Sequence, residues 1–197
     1  VWHDILEDAA QVEERFGASD LLEWNLGILQ QVLNAVRFAH SRAIIHRDLK
    51  PANVMIGEFG EVYLLDWGIA VSLRDDGSGR LPLAAKQDEM AGTPCYMAPE
   101  MLLHGQLEEP RSDLYALGVV LFEMLTGEPV FSAPTPIALV TKHAHEVPRH
   151  IDTVWPEVDA LVQQLLRKDP AERPPELRPE IAARIGFSDD SYFSRAF

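Results

Sequence analysis

Four side chains lie close together in this sequence and could do chemistry together. They are Asp48, Lys50 two residues on, Asn53 three further, and Asp66 beyond a short hairpin. That set suits phosphoryl transfer. One carboxylate can orient an attacking hydroxyl and accept its proton late, because a carboxylate of ordinary acidity is a weak base alone. The Lys50 cation steadies the charge on the moving phosphate. Two further oxygen-bearing side chains of the set can hold magnesium.

The elements that position them follow from periodicity. Residues 1–20 are predicted as one helix, with Trp2, Ile5, Leu6, Ala9, Val12 and Phe16 on its apolar face. Residues 21–42 make a second, capped by Ser19 or Asp20, whose stripe is Leu22, Leu26, Leu29, Leu33 and Val36. Ala43 to Ile45 is a short strand leading into a loop, since Pro51 bars a regular helix there. Two β-rich runs flank Gly57-Glu58-Phe59-Gly60, a hairpin signature. Residues 69–91 are polar and loop-like. Ser112 is expected to cap a helix that stops at Gly127 and, being apolar nearly all round, is buried. Further helices are expected near Ile137 to His145 and Val158 to Leu166. His143 and His145 stand at i, i+2 and so share no helix face, which argues against a metal site there. His40, near the end of the second helix, is expected to be structural.

Composition narrows the function classes. The chain has 197 residues, enough for one cored domain, and no apolar run long enough to span a bilayer. Its net charge of −14 disfavours non-specific nucleic-acid binding. A single cysteine, Cys95, excludes an intramolecular disulfide framework and suits the cytoplasm. The chain does not begin with Met and is read as part of a longer product, which leaves room for a membrane anchor elsewhere.

The strings HRDLKPAN, LLDWG, GTPCYMAPE and KDPAERP together resemble the bacterial eukaryotic-type Ser/Thr protein kinases. The resemblance covers roughly residues 1–178. It implies a protein-kinase-like fold: a mainly α large lobe with a small β hairpin, the small lobe being absent. Neither a glycine-rich ATP-covering loop nor a VAIK-like lysine precedes Asp48. The implied cofactors are ATP and Mg2+, and the implied partners are proteins with Ser/Thr hydroxyls. By the same resemblance Asp48 and Lys50 are catalytic, and Asn53 and Asp66 hold magnesium. Thr93 bonds the catalytic Asp and Lys. Arg47 pairs with a phosphate on Ser72, Ser78 or Thr93, or else bonds backbone carbonyls. Glu100 and Arg173 form a buried ion pair, and Asp113 holds the catalytic-loop backbone. Trp67 departs from the Phe usual in this motif, and its N–H needs a partner if buried.

Residues 179–197 are similar to the second helix-turn-helix of AraC-type regulators, with Ile181, Ala182, Gly186, Phe187, Ser191, Tyr192, Phe193 and Phe197 at pattern positions. The alternative is a last kinase helix. Two rival functions remain open: a kinase-like lobe that only docks partners, and a DNA-binding regulator. The intact set Asp48, Lys50, Asn53 and Asp66 argues against the first. Acidity argues against the second.

Overall fold

The computed structural model describes residues 1–75, 77–86, 91–102, 109–151 and 156–175. Five helices are described: α1 (Ala9–Phe16), α2 (Leu21–Ser41), α3 (Pro110–Thr126), α4 (Pro136–His145) and α5 (Pro156–Leu165). Four short strands form two antiparallel pairs: β1 (Ile44–Ile45) with β4 (Val71–Ser72), and β2 (Val54–Ile56) with β3 (Val62–Leu64). Residues 176–197 lie outside the described residues, and so does the AraC-like reading of the tail.

α3 is the post around which the rest packs. Every residue from Ser112 to Phe122 is buried, as its unbroken apolar character requires. α2 packs its Leu26, Leu29, Val32 and Val36 face into the same core, and α5 adds Leu161, Val162 and Leu165. α3 and α5 approach closely at Gly118. A Cβ there would lie 2.7 Å from Leu165 Cβ and 3.2 Å from Leu166 Cδ2, so only glycine fits without displacement.

Three expectations are corrected. Residues 1–20 do not form one helix. Trp2–Asp4 is a 310 turn, and α1 begins only after Asp8, whose carboxylate caps the Gln11 N–H at 2.9 Å. Burial of Trp2 is the reason. Its indole donates to Asn25 Oδ1 at 2.6 Å, and Asn25 donates onward to the Leu6 carbonyl at 2.9 Å. These bonds hold the first residues against α2 in a non-helical path.

Ser112 does not cap α3. The helix starts at Pro110, with Glu109 as the preceding residue, because proline is preorganised for the first helical position. Ser112 sits inside the first turn and donates to Glu100 at 2.8 Å. The other end is as the sequence implies: Gly127 adopts φ 66 and terminates the helix.

Residues 69–91 are not wholly loop. Ala70 and Val71 are buried, and Val71–Ser72 pairs with Ile44–Ile45 in the register Ile45↔Val71. Leu73 N–H also reaches the Ala43 carbonyl at 2.8 Å. The apolar run Ile69-Ala70-Val71 outweighs the polar residues after it. The β2–β3 hairpin has the register Val54↔Leu64, with Gly60 at φ 85 in its turn.

α4 starts behind the Thr135 cap and separates its histidines as expected. His143 is buried and His145 exposed. Burial, helped by the Lys168 charge, lowers His143 to about 4, so the ring is neutral. Its Nδ1 meets the Tyr115 hydroxyl at 3.0 Å.

Candidate active site

The loop from His46 to Asn53 is held by α3 and by the end of β3. Asp113, on α3, accepts the backbone N–H of both His46 and Arg47 at 3.0 Å. His40 Nε2 meets the same carboxylate at 2.8 Å, so this histidine steadies Asp113. The grip is needed because Arg47 adopts φ 73, a conformation that costs a non-glycine residue about 1–3 kcal/mol. His46 Nε2 lies 2.9 Å from the Leu65 carbonyl, which ties the loop to the chain just before Asp66.

These bonds present Asp48 at the centre of a compact network. Thr93 Oγ1 donates to Asp48 Oδ1 at 2.6 Å. Lys50 Nζ donates to Asp48 Oδ2 at 2.7 Å and to Thr93 Oγ1 at 2.5 Å. Asn53 Nδ2 donates to Asp48 Oδ2 at 3.0 Å and to the Asp48 carbonyl at 2.8 Å. The proton count closes: the Thr93 hydroxyl gives its one proton to Asp48 and receives one from Lys50. Burial alone would raise the Asp48 carboxyl. The hydrogen bonds from Lys50 and Thr93, the Lys50 charge and the Asn53 amide outweigh it and hold the group below the usual carboxylate range. Asp48 is therefore ionised at neutral pH.

Asn53 and Asp66 are brought together through the backbone. The Asn53 carbonyl accepts the Leu65 N–H at 2.8 Å, one residue short of Asp66. Asp66 is exposed and adopts φ 57. The Asn53 amide nitrogen faces Asp48, so its oxygen faces away from that network. An amide oxygen and an exposed carboxylate are hard donors of the kind magnesium takes, so the residues present fit the ion.

The remaining predicted residues fall in two places. Arg47 Nη1 donates to the Ile69 carbonyl at 3.3 Å. Ser72 lies at the end of β4 with its hydroxyl donating to the Arg74 carbonyl at 2.6 Å, and Ser78 is on an exposed turn. Behind the site, Arg173 donates to Glu100 Oε1 at 2.6 Å and Oε2 at 2.8 Å, both side chains being buried. The same guanidinium donates to the carbonyls of Arg167, Arg111 and Lys168. It joins the segment after Thr93 to the start of α3 and to the loop after α5.

One feature escaped the sequence reading. The Tyr96 hydroxyl donates to Glu123 at 2.8 Å across the wall of a cavity of about 640 Å³, also lined by Asp4, Glu7, Asp8 and Glu128. Burial pushes Glu123 up to about 7, the Tyr96 hydroxyl opposes this, and the Glu7 charge adds to it. Its signal was visible: Glu123 interrupts the apolar run from Leu114 to Leu125.

Similarity to known proteins names the family. Residues 6–180 match the protein kinase domain, and the chain belongs to that family. It is 42% identical over 151 residues to the serine/threonine-protein kinase PknB of Mycolicibacterium smegmatis, covering 74% of this chain and 23% of that one. It is 38% identical over 169 residues to the probable serine/threonine-protein kinase SCO3848 of Streptomyces coelicolor, covering 82% and 24%. It is 39% identical over 170 residues to the serine/threonine-protein kinase pkn3 of Myxococcus xanthus, covering 77% and 30%. The chain thus spans about a quarter of the length of such curated relatives. None of the described helices is long and apolar enough to cross a membrane.

Proposed function

We propose that residues 1–178 are the large lobe of a cytoplasmic-facing Ser/Thr protein kinase that transfers the γ-phosphate of ATP to a protein hydroxyl. The observation that carries this reading is the Asp48–Lys50–Thr93–Asn53 network. Asp48 accepts a hydrogen bond from the substrate hydroxyl, orients its oxygen and takes its proton as the bond to phosphorus forms. Lys50, held beside Asp48, places positive charge where negative charge accumulates on the phosphate oxygens. Asn53 and Asp66 would hold magnesium, which when bound neutralises phosphate charge. Thr93 and Asp113 act on Asp48 through hydrogen bonds and backbone support. A phosphate on Ser72, Ser78 or Thr93 is the proposed partner of Arg47, to be sought by mass spectrometry of the active protein.

No lysine precedes Lys50 in the sequence, and no glycine-rich loop precedes Asp48. We therefore expect the chain alone to transfer no phosphate to protein. The test compares it with a fusion that supplies an ATP-covering small lobe in cis, using radiolabelled ATP and a generic protein substrate. The fusion should label the substrate, Asp48→Asn should abolish labelling while ATP binding persists, and Asp66→Ala excludes a contaminating kinase. Near-normal turnover in Asp48→Asn sinks the assignment of Asp48.

For residues 179–197 the pattern positions favour an AraC-type helix-turn-helix segment over a last kinase helix. Truncation after residue 178 separates the two. An unchanged Tm supports a separate segment, and a large fall supports a helix packed on the lobe.

A further inference from the structure

Trp67 does more than fill the place of a phenylalanine. Its indole N–H donates to the Leu64 carbonyl at 3.0 Å, three residues back at the end of β3. Its ring meets His46 edge-on, with centroids 4.5 Å apart. His46 is itself bonded through Nε2 to the Leu65 carbonyl at 2.9 Å. The carbonyls of the two residues before Asp66 are thus each engaged by an aromatic nitrogen, and the two rings touch. After Asp66, the Trp67 carbonyl accepts the Ala70 N–H at 3.1 Å, and the Gly68 N–H reaches Asp66 Oδ1 at 3.3 Å.

Asp66 lies inside this frame at φ 57, in the left-handed region that aspartate enters more readily than most residues with a Cβ. The indole bond is not forced by burial. Trp67 is 36% exposed, and its N–H is directed at Leu64. A phenyl ring could repeat the contact with His46, but it carries no donor for the Leu64 carbonyl.

We propose that Trp67 is a positioning residue: its indole N–H closes the Leu64–Trp67 turn from the side-chain side and so holds the Asp66 carboxylate in one orientation. The consequence for magnesium rests on the reading of Asp66 given above. The geometric claim does not.

The test uses the 15N-labelled chain as it stands, with Trp67→Phe as the variant that keeps the ring and removes the donor. The expected result is a Tm within about 2 °C of the native chain, with the Asp66 and Gly68 amide signals broadened or shifted and those of Val54 to Ile56 unmoved. In the unsubstituted chain the Trp67 indole proton should exchange with solvent about threefold to tenfold more slowly than a free indole. Unmoved Asp66 and Gly68 signals in the variant, or exchange at the free rate, overturn the proposal. Should Trp67→Phe fail to fold, the exchange rate in the unsubstituted chain decides alone. A separate arm titrates Mn2+ by paramagnetic broadening. Trp67→Phe should weaken binding about threefold to tenfold, and Asp66→Asn should remove it. Undiminished Mn2+ binding by Asp66→Asn sinks the metal reading and leaves the amide signals to judge Trp67.

Discussion

The Thr93 hydroxyl stands 2.6 Å from Asp48 Oδ1, although 45 positions separate the two residues in sequence. Because it also accepts from Lys50, it links the two groups through which the proposed transfer runs. The end of the segment that follows Asp66 is thereby joined directly to the proposed base.

Thr93→Val removes the donor while keeping the shape. The Asp48 carboxyl should then titrate higher, nearer its ordinary value, as read by 13C NMR. The native pKa is depressed, so its stabilisation is full above the unfolded value of about 3.9 and is lost as pH falls through the folded value. At pH 7 the variant should be less stable by about 1 kcal/mol, and the gap should narrow below about pH 4. A gap that does not change with pH contradicts the assigned link.

Glu123 works in the opposite sense. Its folded value of about 7 lies above the ordinary carboxylate range, so the folded chain binds the extra proton between those values. Stability should therefore fall as pH rises from about 4.5 to 7 and then level off, by on the order of 2 kcal/mol from this group. Glu123→Gln should lose that part of the slope. Urea midpoints of the two proteins at pH 5 and pH 7.5 measure it, and parallel pH profiles would refute it.

Arg173→Met leaves the Glu100 carboxylate buried beside Ser112 alone and strips three carbonyls of their donor. Breaking a buried pair in this way should cost about 3–5 kcal/mol in urea unfolding. Replacing Glu100 and Arg173 together with apolar residues should cost less than the two single losses added. Simple additivity would show that the pair is not energetically coupled.

Gly118→Ala places a methyl group 2.7 Å from Leu165 Cβ between α3 and α5. Gain in helix propensity would stabilise an exposed site by about 1 kcal/mol, but overpacking here should outweigh it, with a net loss of about 1–2 kcal/mol. A variant as stable as the native chain would mean that the helices separate without cost.

What the sequence determined by itself is local chemistry and local periodicity. Asp48, Lys50, Asn53 and Asp66 were legible because a loop supplies the first three at short range and a hairpin brings back the fourth. The buried course of α3 was legible because its apolar character is unbroken from Leu114 to Phe122. The tertiary structure decided what depends on distant partners. Trp2 abandons its helical pattern because Asn25, on another element, takes its N–H. Ser112 serves Glu100 because Pro110 starts the helix before it. Val71 pairs with Ile45 because a two-residue strand gains its hydrogen bonds only when its partner is already in place. The Glu123–Tyr96 bond could not be read in advance, since a lone acid in an apolar run reveals that it needs a partner and not which one.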